Sequence, residues 1–183
     1  MLRLPHEVII WSMDPVESDF ARWEASPPAE VIGDSIWRLP AYRLSRYLAA
    51  VVDHDVPSIR EHSPSRAEQL ERAIDSIGIN IAEGYSRLHG RERARFYDYA
   101  LGSAREAREW YARVGAYLPP GIALSRCRLL SRAIKILTVA VPQERAGSSE
   151  RRIRDAADRR LPSGGSEKST LHPAPEQAPR SRK

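Results

Sequence analysis

The sequence is poor in the residues that form covalent cross-links and membrane-spanning segments. One of its 183 residues is a cysteine, Cys127, so the chain forms no internal disulfide and suits a reducing compartment. No apolar run approaches the roughly 18 residues that a transmembrane helix requires. Acidic residues follow the N-terminal MLRLPHEVIIWSM at once, without a small-residue cleavage site, which argues against a signal peptide. We expect a soluble, cytoplasmic protein with no membrane partner.

The spacings typical of catalytic and cofactor sites are also missing. None of the five histidines pairs with another histidine, a cysteine or a carboxylate at a helical metal spacing, and His54, His62 and His89 fall in expected turns. The glycines do not form the strand-to-helix cluster that cradles a phosphate. Cys127 lies on an apolar stripe, where a thiol packs as a small hydrophobic group. We expect no enzymatic activity, catalytic residue, metal, cofactor or small-molecule substrate.

Charge is unevenly distributed along the chain. Residues 1–34 contain two arginines and seven acidic residues, residues 35–141 contain 17 basic and 11 acidic residues, and residues 142–183 contain ten basic and six acidic residues. A basic surface of this kind suits a polyanionic partner, because it neutralises phosphates. The same asymmetry equally suits an acidic arm that folds back on its own basic domain.

Four segments carry apolar residues at the three-and-four spacing of an amphipathic helix. The first ends before Pro57, and the second begins at Ser63 or Ser65, where Ser65 and Glu68 have the spacing of a capping box. Gly84 and Gly90 mark the turn between the second and third segments. The expected helices cover about residues 39–53, 63–84, 91–117 and 122–141.

The apolar stripes of these segments define the expected core. The fourth stripe is unusually wide, which suits contacts on two sides. Short turns between four such helices predict an all-α fold, an up-down antiparallel four-helix bundle over residues 35–145. The stripes of the second and third helices are Leu70, Ala73, Ile74, Ile77 and Ile81, and Phe96, Ala100, Ser103, Ala107, Trp110 and Val114.

Segments of different composition flank the expected bundle. Residues 1–34 form an acidic N-terminal arm, punctuated by Pro27-Pro28. Residues 146–183 form a basic tail rich in proline, serine and glycine. We expect it to be largely disordered, from about Pro162 onward, since it cannot bury enough apolar area to offset its ordering entropy. Within it, SSERRIRDAADRRL has the pattern of a short helix capped by Ser148 or Ser149.

A polar stripe lies one step around the second helix from its core stripe. The stripe consists of Arg72, Ser76, Asn80, Glu83 and Arg87. We call its first four residues, together with Ser103 of the third helix, the polar seam. Polar groups beside a core must find partners, and the small residues of the third helix would let Asn80 reach a hydroxyl or carbonyl there. We interpret the seam as a device that specifies helix register or subunit contact, in preference to a ligand or catalytic site.

Two strings, RAIDSIGINIAEGYSR and RARFYDYALGSAREAREWY, carry a resemblance to a known family. Together they resemble the four-helix-bundle proteins related to the 23S ribosomal RNA intervening-sequence protein, over about residues 35–141. The signature combines Arg72-Ala73, the NIAEG pentapeptide at 80–84 and Gly102-Ser103. The resemblance implies a four-helix protomer that assembles with itself into a ring, commonly a pentamer, with no established enzymatic activity.

Two further features come with this resemblance. A distant relative at the level of the fold is the accessory variability protein of diversity-generating retroelements, a basic pentameric barrel that binds nucleic acid and a reverse transcriptase. The segment from Asp19 and the VPQER string ending at Arg145 resemble a subgroup with an acidic arm. This implies Met13 as an alternative start, with residues 1–12 outside the protein.

A cluster of arginines interleaved with aromatic residues marks the expected corner between the second and third helices. Guanidinium groups and exposed rings together suit phosphates and stacked bases. The alternative is solvated or self-paired charge. We call the set Tyr85, Arg87, Arg91, Arg93 and Arg95 the basic corner; His89, Phe96, Tyr97 and Tyr99 lie among them.

Two hypotheses of different class follow. The leading one is a non-enzymatic homo-oligomer that binds RNA, DNA or a nucleoprotein through the basic corner and tail. The alternative is an oligomeric scaffold or adaptor that binds a protein, in which the acidic arm engages the basic surface of a neighbouring subunit and nucleic acid plays no part.

Overall fold

The four amphipathic segments form the four longest helices of the structure, a computed structural model that describes residues 15–158 and the side chains of residues 18–147. All regular structure in that part of the chain is helical, which confirms the all-α fold class. The expected start at Met13 and the expected disorder from about residue 162 lie outside the described residues. The elements are α1 (Pro15–Glu24), α2 (Ala29–Ile32), a 3-10 turn (Ser35–Arg38), α3 (Pro40–His62), α4 (Pro64–Tyr85), α5 (Gly90–Val114), a 3-10 turn (Gly115–Tyr117) and α6 (Ile122–Asp158).

The long helices α3 to α6 pack side by side in a closed order. α3 lies against α4, α4 against α5, α5 against α6, and α6 against α3. The apolar stripe expected for α4 is buried throughout, because α4 contacts neighbours on two sides. No helix within the described residues is long and apolar enough to cross a membrane. The largest fully buried side chains include Leu44, Leu48, Ile59, Leu70, Ile74, Ile77, Ile81, Leu129, Leu130 and Leu137.

Helix α3 is longer than the sequence predicts. It continues through Pro57 to His62, so the expected end before Pro57 is wrong, and His54 and His62 lie in a helix. The buried side chains of Val56 and Ile59 extend the apolar stripe beyond the proline. Pro57 itself is exposed, and the burial of its neighbours offsets the backbone hydrogen bond that proline cannot make.

Helix α4 begins at the first of its two expected starts, Ser63, and not at Ser65. Ser63 is its N-cap residue and Pro64 its first residue, where a missing N–H and a fixed φ cost nothing. Ser65 lies inside the helix, so the expected capping box with Glu68 is wrong. The Ser63 side chain makes no capping hydrogen bond.

The turn between α4 and α5 occupies residues 86–89, so Gly84 and Gly90 both lie in helices. Gly84 is buried in the last turn of α4, where α5 crosses closely. A Cβ at this position would lie 2.9 Å from the Cβ of Phe96 and 2.9 Å from Cε1 of Tyr97. The glycine therefore serves the approach of two helices and does not form the turn.

The buried face of α5 is rotated relative to the expected heptad. Phe96, Ser103 and Trp110 are only half-buried, whereas Tyr97 and Tyr111 are buried. The reason is that α5 packs between α4 and α6, so the side chains pointing between these two neighbours are the ones covered. Burial raises the pKa of Tyr97 to about 12, although the nearby Arg93 guanidinium opposes this shift.

Helix α6 begins at Ile122, as predicted, but it is much longer than expected. It passes the exposed Pro142 without interruption and continues to Asp158, the last residue that the structure describes. Residues 146–158, assigned to the tail, therefore continue α6, and no new helix begins at Ser148 or Ser149. Val141 is buried directly before the proline, so packing holds the helix together where the sequence suggests a break.

The described part of the N-terminal arm packs on its own chain. Phe20 of α1 is buried against Tyr47 of α3, with ring centroids 5.4 Å apart. The Arg43 guanidinium binds the Glu24 carboxylate and donates to the carbonyl of Trp37. The charge asymmetry suited either a polyanionic partner or an arm that folds back on its own basic domain. The contacts of residues 15–34 agree with the second interpretation.

Candidate functional site

The basic corner is assembled by the end of α4, the start of α5 and one residue of α6. Tyr85 is the last residue of α4 and is half-buried, and Arg87 follows in the turn. Arg91, Arg93 and Arg95 lie in the first two turns of α5. The structure thus brings together all five residues of the basic corner, because the turn between the helices is only four residues long.

Two of the corner arginines hold the corner together. Arg93 donates to Glu144 of α6 at 3.1 Å and to the carbonyl of Arg87 at 2.9 Å. Arg87 binds Glu83 and lies 4.9 Å from the centroid of the Phe96 ring. The Nε–H groups of both arginines are buried and donate to no partner among the described residues. Arg87 and Arg93 are therefore committed to contacts within the chain.

The other two corner arginines face solvent. Arg91 is exposed, and the guanidinium of Arg95 lies 5.7 Å from the centroid of Phe96 and 5.8 Å from that of Tyr99. The Tyr99 ring is 50% exposed. A guanidinium held against an exposed ring presents a cation and a stacking face at the same place, which is the chemistry that binds single-stranded nucleic acid.

The polar seam satisfies its hydrogen bonds locally. Asn80 donates to the carbonyl of Ser76 at 2.7 Å, and Ser103 donates to the carbonyl of Tyr99 at 3.1 Å. Each is a bond to the preceding turn of the same helix, whereas the sequence suggests that Asn80 reaches across to α5. Glu83 binds Arg87 and Arg72 is exposed. The seam is therefore a partly exposed surface of α4 and α5.

Sequence reasoning overlooked a buried ionic cluster that joins α3, α5 and α6. Tyr111 donates its hydroxyl to Oδ2 of Asp55 at 2.8 Å. Arg126 donates from Nε to the same oxygen at 2.9 Å and from Nη2 to Oδ1 at 3.3 Å. The Asp55 side chain is 7% exposed and that of Arg126 is 12% exposed. One carboxylate thus connects three helices.

The environment of this cluster shifts two pKa values upward. Burial raises the pKa of Tyr111, and the neighbouring Asp55 carboxylate raises it further. Burial opposes the charged form of Arg126, but its hydrogen bonds and attraction to Asp55 outweigh this and raise its pKa. The phenol therefore stays neutral and the guanidinium charged, so the cluster is a fixed ion pair with one neutral donor.

The sequence did contain a signal for this cluster. Asp55 follows Leu48 and Val52 and precedes Ile59 at the spacing of the α3 core stripe, and all three neighbours are buried. A charged residue inside an apolar stripe must pair or pay the cost of desolvation. Identifying Arg126 and Tyr111 as its partners requires the packing of α3, α5 and α6.

The remaining reactive groups offer little for chemistry. Within the described residues, no group of three or more His, Cys, Asp or Glu side chains is placed to hold a metal ion. Cys127 is half-buried, its thiol lies 3.7 Å from the carbonyl of Arg108, and burial raises its pKa. A raised pKa lowers the thiolate fraction at neutral pH, which weakens this residue as a nucleophile.

Comparison with known proteins gives one match. The model of a family described as 23S rRNA-intervening sequence protein matches residues 39–117. No curated protein matches the chain, and no solved structure matches it. The match includes α3, α4 and α5, together with the basic corner and the polar seam, and it stops before α6. The resemblance expected from the sequence extends further, over about residues 35–141.

Proposed function

From the relation of this chain to the 23S rRNA-intervening sequence protein family, we propose that it is a non-enzymatic, homo-oligomeric protein that binds nucleic acid or a nucleoprotein through a basic surface. Its protomer is an up-down four-helix bundle, built from α3 to α6. This arrangement is supported by the closed packing order of the four helices and by the short connections between them.

The observation that carries the binding proposal is the solvent-facing half of the basic corner. Arg91 is exposed, and Arg95 stacks its guanidinium near the half-exposed ring of Tyr99. Phosphates bind the cations, and an unstacked base lies on the ring. Arg87 and Arg93 contribute indirectly, because their contacts to Glu83 and Glu144 hold the corner in place.

The double substitution Arg91→Gln and Arg95→Gln tests this proposal. We expect the affinity for single-stranded RNA or DNA to fall at least tenfold at low salt, because two phosphate contacts and one stacked cation are lost. The measurement is fluorescence anisotropy of a labelled 20-nucleotide single strand, titrated at several salt concentrations.

The double substitution Arg38→Gln and Arg46→Gln is the matched control. It removes the same charge from exposed positions in the 3-10 turn before α3 and in α3, outside the corner and the seam. We expect this variant to bind nearly as well as the natural protein. Equal losses in the two variants would mean that net charge alone attracts the nucleic acid. If the natural protein binds no nucleic acid at any salt concentration, the proposed function is wrong and the scaffold alternative takes its place.

The proposed self-association uses the partly exposed surface of the polar seam. Ile79 lies among the seam residues of α4 and is 62% exposed. Apolar side chains set in a polar surface are typical of subunit contacts. Five copies in a ring, the number implied by the family resemblance, would each contribute this surface to a neighbour.

Replacing Ile79 with aspartate tests the assembly. We expect the subunit count to fall toward the monomer while the helix content stays unchanged, because a charge would be buried in the contact but remains solvated in the free protomer. Native mass spectrometry gives the subunit count. Replacing Leu88, which is 85% exposed in the turn, with aspartate is the control and should leave the assembly intact. An I79D protein with an unchanged subunit count would place the contact elsewhere.

A further inference from the structure

The acidic arm lies on a surface of α3 and α6 that combines arginine and aromatic side chains. The ring centroid of Phe20 is 5.4 Å from that of Tyr47, and the guanidinium of Arg132 lies 5.7 Å from the Phe20 centroid. Four residues further along α1, the Glu24 carboxylate binds Arg43 of α3. The arm thus places one ring and one carboxylate on two arginines and a tyrosine.

Two tryptophans extend this aromatic surface. Trp23 of the arm has its ring centroid 5.4 Å from that of Tyr47 and 5.9 Å from that of Trp37. The carbonyl of Trp37 in turn accepts a hydrogen bond from Arg43. We call the residues under the arm the covered surface, which consists of Trp37, Arg43, Tyr47 and Arg132.

The charged groups around Tyr47 come from both the bundle and the arm. Burial raises the pKa of Tyr47, Arg126 lowers it, and the carboxylates of Asp19 and Asp55 add to the rise. Arg126 is held by Asp55 of the bundle, and Asp19 lies 3.8 Å from Arg22 of the arm. The arm therefore supplies negative charge at this place, and the covered surface is not a bare cationic patch.

Few buried contacts attach the arm to the bundle. Residues 25–35, which join α1 to the bundle, are exposed apart from the half-buried Pro27, and α2 within them has no buried residue. Within residues 18–24, Phe20 is the one buried side chain. A segment held by so few buried contacts can open locally while the helices beneath it stay folded.

A nucleotide presents the same two groups as the arm, a flat ring and an anion. A base can lie on Tyr47 and the Arg132 guanidinium in place of Phe20, and a phosphate can bind Arg43 in place of Glu24. We propose that the arm is a built-in competitor, which closes a second site for single-stranded nucleic acid on the covered surface until a strand displaces it. This inference rests on the proposed function and adds a regulated site to it.

The double substitution Phe20→Ala and Glu24→Gln tests the competitor on the full chain. We expect the affinity for a labelled 20-nucleotide single strand to rise at least about fivefold, because a base gains a ring on which it stacks. The slope of log affinity against log salt should become steeper by about 0.7, as expected for one further phosphate contact to a single strand. Fluorescence anisotropy at several salt concentrations measures both.

Two variants separate release of the arm from loss of its charge. Glu30→Gln with Val31→Ala removes the same charge and an apolar side chain from exposed positions of α2, and should bind like the natural protein. Adding Arg43→Gln to the F20A and E24Q variant should abolish the steeper slope, because the phosphate loses its cation. A gain that is equal in the α2 variant would mean that charge alone, without release of the arm, strengthens binding.

Hydrogen exchange of the natural protein tests the displacement without any substitution. A saturating single strand should speed the exchange of the backbone amides of α1, while the buried helices of the bundle keep their slow exchange. If the natural protein binds the strand and the exchange of α1 stays the same, the inference is wrong and the proposed function stands. The same holds if the F20A and E24Q variant binds no more tightly. If neither protein binds a strand, both are wrong.

Discussion

Replacing Asp55 with alanine lowers the free energy of unfolding by about 3–5 kcal/mol, because it leaves a buried guanidinium without its counter-charge. Arg126 is 12% exposed and directs two hydrogen bonds at this one carboxylate. The hydroxyl of Tyr111, which is fully buried, loses this carboxylate as its acceptor at the same time. Urea denaturation followed by circular dichroism measures the loss, and the m-value shows whether the unfolding remains two-state.

Two further variants separate the charge from the packing. Tyr111→Phe removes one hydroxyl and keeps the ring and the ion pair, so its expected loss is about 1 kcal/mol. Replacing Asp55 and Arg126 together with leucine removes both charges and should restore most of the stability, since a buried ion pair is about as stable as a well-packed apolar pair. A D55A protein as stable as the natural one would mean that Arg126 reaches solvent without cost.

Replacing Gly84 with alanine should destabilise the protein by about 1–3 kcal/mol, although alanine is the better helix former. The added methyl group would lie 2.9 Å from the Cβ of Phe96, an atom that cannot move without its helix. It would also press on the buried ring of Tyr97. We expect α4 and α5 to separate slightly at the end that carries the basic corner. Thermal unfolding measures the change as a lower Tm.

Gly102 provides the matched control, since it lies in the middle of α5 with open space around it. A Cβ at this position would meet no atom within 4 Å. Gly102→Ala should therefore raise stability by about 0.5–1 kcal/mol, as expected for a glycine in an exposed helical position. Equal effects of the two substitutions, in either direction, would contradict the close approach at Gly84.

Local patterns predicted several elements closely. The start of α6 at Ile122 follows a proline-glycine break, and the buried stripe of α4 follows directly from its apolar spacing. The predicted end of α3 and the predicted length of α6 were wrong for a common reason. The predicted helices end before Pro57 and Pro142, whereas the buried side chains of Val56 and Ile59 around Pro57, and of Val141 directly before Pro142, hold both helices against their neighbours.

At the candidate site, too, local sequence predicts one part and the packing of distant residues decides the other. The position of the basic corner is predictable because four arginines and several rings cluster within a few residues of one turn. The sequence does not predict which of these arginines face solvent, since Arg93 is held by Glu144, which lies 51 positions away.

The amino-acid sequence by itself determined the helical class, the stripes that become the core of α4 and α6, the uneven charge and the relation to a family. These are properties of residues a few positions apart, where spacing alone decides which side chains share a face. Only the tertiary structure decided the rotation of α5, the pairing of Asp55 with Arg126 and the fold-back of the arm. Each of these depends on which helices become neighbours, and that is decided by packing over the whole chain.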